Sequence, residues 1–270
     1  MSESSIGVFD SGIGGLTVVH ELFKQLPNER IVYFGDTARV PYGSKSVEII
    51  RRYASEDTEL LLQHNPSLIV VACNTVSAVA LDVVKATARN IPVIGMIGPA
   101  CIEATATTKN GRIGIIGTQA TVSSNAYDEG IIAVSSGKNI QTFSQACPLF
   151  VPLAEEGWQD HSAAKLIVEE YLSPLKRAEV DTLILGCTHY PVLSKVIGDY
   201  MGTDVTLINS GAVAARNVKE QKRDTTGNSP EHLFLVSDTP SKFQSVGERF
   251  LGYKLPVTKQ VIFKEAWVVV

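Results

Sequence analysis

Leu68-Ile69-Val70-Val71-Ala72-Cys73-Asn74-Thr75 is an unbroken aliphatic run that stops abruptly on a thiol, an amide and a hydroxyl. A short run of this kind, rich in β-branched residues, describes a strand covered on both faces, as in a parallel sheet. The chain writes the same phrase again as Leu183-Ile184-Leu185-Gly186-Cys187-Thr188-His189. An earlier pair is similar too: Ile6-Gly7-Val8-Phe9-Asp10 and Ile113-Gly114-Ile115-Ile116-Gly117. Each half therefore runs from one apolar strand to a second strand that ends in cysteine.

Working outward, strands are expected over 5–10, 31–35, 67–72, 93–97, 112–117, 140–145, 182–186, 205–208 and 232–237. Segments with helical spacing lie between many of them, as over 16–26, 47–63 and 162–176. Strand–helix alternation predicts an α/β fold: two similar lobes, each a mainly parallel sheet flanked by helices, with the active site in the cleft between them. The stretch after Ile208 is expected to cross back, giving a first lobe of 1–97 plus 210–270 and a second of 98–209.

Composition narrows the class. The 270 residues are 44% hydrophobic and 19% charged with a net charge of −4, as in an ordinary globular protein. No Lys/Arg cluster suggests a nucleic-acid partner. No apolar run approaches the roughly 20 residues that span a bilayer, and the start, Met-Ser-Glu-Ser-Ser, is not a secretory leader. A cytoplasmic location with no membrane partner is the expectation. The four cysteines, Cys73, Cys101, Cys147 and Cys187, include no C-x-x-C pair, so neither a disulfide framework nor a structural zinc site is expected. Cys101 and Cys147 read as buried thiols, His20, His64, His161 and His232 as structural, and Trp158 and Trp267 as packing or interface residues.

Ligands of open α/β sheets bind beyond the carboxyl ends of the strands. Asp10-Ser11, Gly35-Asp36, Cys73-Asn74-Thr75, Thr118 and Cys187-Thr188-His189 all fall there. Two nucleotide readings fail. Gly12-Ile13-Gly14-Gly15 is followed by Thr17 where a dinucleotide loop needs its third glycine, and Gly43-Ser44-Lys45-Ser46 lacks the Gly-Lys pair of a phosphate loop.

Two strand-end thiols suit removal of a proton from carbon and its return on the opposite face, which takes one base and one acid at once. A free thiol is about 3% thiolate at pH 7, and a helix start or nearby donors raise that fraction. Both cysteines are expected just before helices, with Asp10 as proton partner for Cys73 and His189 for Cys187. Ser11, Asn74, Thr75, Thr118, Thr121 and Thr188 offer donors for a substrate carboxylate. The competing readings are an anion-binding module, which has no use for paired cysteines, and a thiol hydrolase, which leaves the second cysteine unexplained. More modest roles stay open for single residues: Asp10 and Asp36 as caps, Glu155 as a solvated helix-end acid and His189 as a structural histidine.

The sequence resembles the glutamate racemases of the aspartate/glutamate racemase superfamily. The match lies in Asp10-Ser11-Gly12-Ile13-Gly14-Gly15-Leu16-Thr17, Gly35-Asp36-Thr37-Ala38-Arg39-Val40-Pro41-Tyr42-Gly43, Ala72-Cys73-Asn74-Thr75 and Gly117-Thr118 with Thr121. It continues through Pro148-Leu149-Phe150-Val151-Pro152 with Glu155-Glu156-Gly157, and ends at Gly186-Cys187-Thr188-His189-Tyr190-Pro191. The resemblance implies interconversion of L- and D-glutamate for peptidoglycan synthesis, with no pyridoxal phosphate, no other cofactor and no metal. It implies that Cys73 acts on the D-isomer and Cys187 on the L-isomer. It also implies substrate contacts at Ser11, Pro41, Tyr42, Gly43, Asn74, Thr75, Thr118, Thr121 and Thr188, and support from Asp10, Asp36, Glu155 and His189. A homodimer is common in that family. Without the resemblance, aspartate or another acidic amino acid would serve equally as substrate.

Overall fold

The computed structural model describes residues 4–222, 230–263 and 267–269. Among these, the strands form two sheets. The first contains β1 (Ser5–Asp10), β2 (Ile31–Gly35), β3 (Pro66–Val71) and β4 (Val93–Gly95). The second contains β5 (Arg112–Gly117), β6 (Gln141–Ala146), β7 (Thr182–Gly186) and β8 (Thr206–Asn209). Later strands β9 (Leu233–Val236), β10 (Thr258–Phe263) and β11 (Trp267–Val269) extend the first sheet beyond β2. The order is β11-β10-β9-β2-β1-β3-β4 in one sheet and β6-β5-β7-β8 in the other.

Those orders carry the repeat seen in the sequence. In the first sheet β2, β1, β3 and β4 follow one another, and in the second β6, β5, β7 and β8 do the same. The pairs that looked alike as text, β1 with β5 and β3 with β7, are the two central strands of each lobe. All their pairings are parallel, as fully buried aliphatic strands predicted. Among the described residues only β10 with β11 is antiparallel.

The expected strands are present with shifts of one or two residues at several ends. β4 stops at Gly95 because Met96 already leads into α5 (Ile97–Thr107). β10 and β11 escaped the sequence reading because Thr258-Lys259-Gln260 is polar, and of β10 only Val261 is buried. The side chain of Trp267 lies outside the described residues.

Helices α1 (Leu16–Gln25) and α2 (Val47–Leu62) follow the first two strands. α1 buries Leu16, Val18, Val19 and Leu22 against the first sheet. α2 begins at Ser46, whose hydroxyl accepts from the Ile49 amide, and buries Ile50, Ala54, Asp57 and Leu61 along one stripe. Two later helices change sides. α5 leaves β4 of the first sheet but packs on β7 and β8 of the second, while α11 (Ser210–Gln221) leaves β8 and packs back on α1. α11 starts where the Asn209 side chain accepts from the amides of Gly211 and Ala212, at 3.0 and 3.2 Å. The chain thus crosses from the first sheet to the second at α5 and returns at α11.

Because Asn209 fixes the point of that return, Asn209→Ala is expected to cost about 1 kcal/mol. Urea unfolding should show a lower midpoint with an unchanged slope.

Candidate active site

The carboxyl ends of β1, β3, β5 and β7 meet across the seam and enclose a cavity of about 410 Å³. Ser11 lines it after β1, Cys73, Asn74 and Thr75 after β3, Thr118 after β5, and Cys187, Thr188 and His189 after β7. Pro41, Tyr42 and Gly43 form one wall and Glu155 another. Asp10, Asp36 and Thr121 lie behind the walls. An apolar side made by Val40, Pro148, Val151 and Pro152 was not named as a site by sequence, although all four residues belong to the quoted motifs.

Cys73 caps α3 (Asn74–Val79) and its thiol donates to Ser11 Oγ at 3.6 Å. Asp10 is fully buried and accepts from the Gly12 amide at 2.9 Å and the Thr188 hydroxyl at 3.4 Å. Burial raises the Asp10 carboxyl above the usual carboxylate range. Burial, and then the nearby Asp10, push the Cys73 thiol up to about 12. This reverses the expectation that a helix start would favour the thiolate: desolvation outweighs the amides of one short helix. Cys73 is a thiol at neutral pH.

Cys187 has different surroundings. No α-helix follows it directly. Thr188 and His189 come first, then a 3-10 turn at Tyr190–Leu193, and α10 (Ser194–Met201) begins only after that. The nearby group is instead His189, with Nδ1 3.8 Å from Cys187 Sγ and Nε2 2.9 Å from Glu155 Oε1. Phe250 meets the His189 ring edge-on, with centroids 5.3 Å apart. Burial works against the imidazolium, but Cys187 and Glu155 outweigh it and hold the His189 pKa up at about 10. His189 is therefore a cation at neutral pH, anchored at one end by an acid and offered at the other to sulfur.

Hydroxyls close the site between the lobes. Thr75 Oγ1 lies 2.9 Å from Thr118 Oγ1 and 3.3 Å from Thr121 Oγ1, and those two are 3.0 Å apart. Asn74 is held by Tyr127, whose hydroxyl donates to its Oδ1 at 2.6 Å, and its Nδ2 donates to Ser210 at 3.4 Å. Two glycines permit this closeness. A Cβ on Gly14 would stand 2.3 Å from Thr188 Oγ1, and one on Gly43 would stand 2.7 Å from Thr118 Cβ.

Tyr42 lines the cavity, but its ring is almost fully buried and its hydroxyl donates to Asp36 and, at 3.1 Å, to Asp57. Asp36 does not cap a free turn. It accepts from Arg39 Nε at 2.6 Å and from Ser237 at 2.8 Å. Arg39, Glu56 and Asp57 were missed as functional candidates. The signal was present for Asp57, which is a carboxylate on the buried stripe of an amphipathic helix. Cys101 and Cys147 are buried away from the cavity lining. Among the described residues no group of His, Cys, Asp and Glu is placed to hold a metal ion.

A family model described as Asp/Glu/Hydantoin racemase matches residues 6–218. The chain belongs to this racemase family. It is 55% identical over 261 residues to the glutamate racemase of Chlorobaculum tepidum, covering 94% of this chain and 95% of that protein. The crystal structure of glutamate racemase from Francisella tularensis in complex with D-glutamate superimposes with a TM-score of 0.89 at 40% identity, covering 98% of both chains. The Escherichia coli glutamate racemase, solved with L-glutamate and the activator UDP-MurNAc-ala, gives a TM-score of 0.78 at 28% identity over 99% of this chain and all of that one. The two-sheet architecture expected from the sequence is the architecture of these racemases.

The raised pKa of His189 has a testable sign. The ion pair with Glu155 contributes fully below the ordinary histidine value of 6.5, and that contribution is lost as pH rises through about 10. In Glu155→Gln the NMR titration of His189 should move to lower pH, and the fall of urea stability between pH 6.5 and 10 should become shallower. An unchanged titration would remove Glu155 as the anchor.

Proposed function

We propose that this chain interconverts L- and D-glutamate by passing protons between Cys73 and Cys187, without a cofactor, and so supplies D-glutamate for peptidoglycan synthesis. The observation that carries the reading is the pair of buried cysteines facing one cavity in opposite surroundings. Cys73 is kept protonated by burial and by Asp10, whereas the His189 imidazolium lies 3.8 Å from the Cys187 sulfur. One acid and one base across a single carbon are what inversion requires.

With L-glutamate bound, the Cys187 sulfur takes the α-proton and Cys73 delivers its own proton to the opposite face. D-glutamate leaves, with Cys187 now a thiol and Cys73 a thiolate. The reverse reaction begins from that state, and proton exchange with solvent through the open cleft resets it. Ser11, Thr75, Thr118, Thr121 and Thr188 are the donors proposed for the substrate carboxylates, with the backbone of Pro41, Tyr42 and Gly43 as a wall. Asn74 is oriented by Tyr127 and Ser210. Asp10 holds Gly12 and Thr188, and Glu155 holds His189. The relatives named above support glutamate over aspartate as substrate.

The same reading treats 1–97 with 210–270 as one lobe and 98–209 as the other, supported by the strand content of the two sheets. It also takes the enzyme to be a cytoplasmic homodimer. Among the described residues no helix is long and apolar enough to cross a membrane.

The deciding experiment follows the Cα–H signal by NMR with protein in heavy water and no added cofactor. Both L- and D-glutamate should lose the signal, and aspartate should lose it much more slowly. Cys73→Ala and Cys187→Ala should each lower kcat/KM by about a thousandfold or more, because each face needs its own group. Absence of exchange with either isomer, or normal turnover in either variant, would refute the proposal.

A further inference from the structure

Behind the cavity wall lies a buried charged cluster that the proton-transfer scheme does not use. Arg39 spreads its guanidinium over three carboxylates: Nε to Asp36 at 2.6 Å, Nη2 to Asp57 at 2.8 Å, and Nη1 to Glu56. Asp36 and Asp57 have no solvent exposure. On its open face the guanidinium stacks on the Tyr53 ring, 4.0 Å from the centroid. Glu56 also pairs with Arg52 at 3.8 Å, so the fully buried Asp36 and Asp57 share the one guanidinium of Arg39 in a desolvated place, a costly arrangement that the fold keeps only with good geometry. Burial and the neighbouring Asp36 push Asp57 well above the usual carboxylate range.

Ser237 donates to Asp36 at 2.8 Å, and a last member of the cluster lines the site. The phenol of Tyr42 donates to Asp36 and to Asp57. Tyr42 opens the 3-10 turn Tyr42–Ser44, and the next residue, Gly43, presses on Thr118 of the other lobe with no room for a Cβ. The position of the tyrosine ring therefore sets the gap between this strip and the hydroxyls of Thr118 and Thr75.

We propose that Arg39 and Asp57 are positioning residues: with Asp36 they clamp the phenol of Tyr42, and through it they fix the Pro41–Gly43 strip at the distance from Thr118 that substrate binding requires. Neither residue lines the cavity, and neither bonds to Cys73, Cys187 or His189. Their loss should therefore fall on binding and leave proton transfer nearly intact. Lysine cannot replace Arg39, because a single ammonium does not reproduce a planar fork with three separately aimed nitrogens. Asparagine can replace Asp57 in part, since its amide oxygen still accepts.

The test has two arms. In the kinetic arm, which rests on the glutamate reading above, Asp57→Ala and Arg39→Lys should raise KM about tenfold while kcat stays within about threefold, and Asp57→Asn should recover most of the loss. In the exchange arm, amide hydrogen exchange of peptides covering 38–46 should become about tenfold faster in Asp57→Ala, with β1 and β5 unchanged. An unchanged KM accompanied by a fallen kcat, or unchanged exchange over 38–46, would overturn the proposal. If Asp57→Ala fails to fold, Arg39→Lys carries both arms. If the wild-type protein fails to racemise glutamate, the functional reading falls and the exchange arm still decides this one.

Discussion

Thr188 stands between the lobes, and the site depends on the bonds it makes there. Its hydroxyl donates to Asp10 at the end of β1, and its carbonyl accepts from the Thr17 hydroxyl on α1 at 2.8 Å. These bonds are buried and short in range, so they form only when the two halves approach closely. The space for that approach comes from Gly14, which presents no side chain to Thr188 or His189. With the lobes held at this distance, the carboxyl ends of four central strands share one cavity. Each cysteine then sees the same space from its own side.

The same closeness separates the electrostatic character of the two thiols. Both are buried, so neither gains much from water. What differs is the charge supplied to each. Cys73 has a carboxylate behind it and a hydroxyl in front, whereas Cys187 has an imidazolium tied to Glu155. A repeated fold would give two equivalent thiols. The different residues that follow the two cysteines, Asn74-Thr75 and Thr188-His189, break that equivalence. The Pro41–Gly43 strip follows the same logic at one remove, since its place is set by a polar cluster on the far side of the wall.

Much of this was legible in the sequence because parallel strands buried on both faces must be aliphatic throughout, and they must end where polar residues begin. That rule located Cys73, Cys187, Asp10 and Thr118 at strand ends before any coordinates. It failed at β10, where a strand one in from the sheet edge carries polar residues, and at the start of α10, where a 3-10 turn separates Cys187 from the helix. The pairing of His189 with Cys187 was also legible, because both stand in one tight turn. The direction of the Cys73 shift was not, since sequence shows a helix start but not how far water is excluded from it.

The sequence by itself determined the α/β class, the repeat and which candidate groups stand at the strand ends, because periodicity and strand-end chemistry are local properties. Only the tertiary structure decided which groups touch. The contacts of Thr188 with Asp10, Tyr42 with Asp57 and Asn74 with Tyr127 join residues far apart in the chain. The same holds for Cys73, where burial and the neighbouring Asp10 set the protonation state. Those are properties of the space around a group, and a linear pattern does not contain that space.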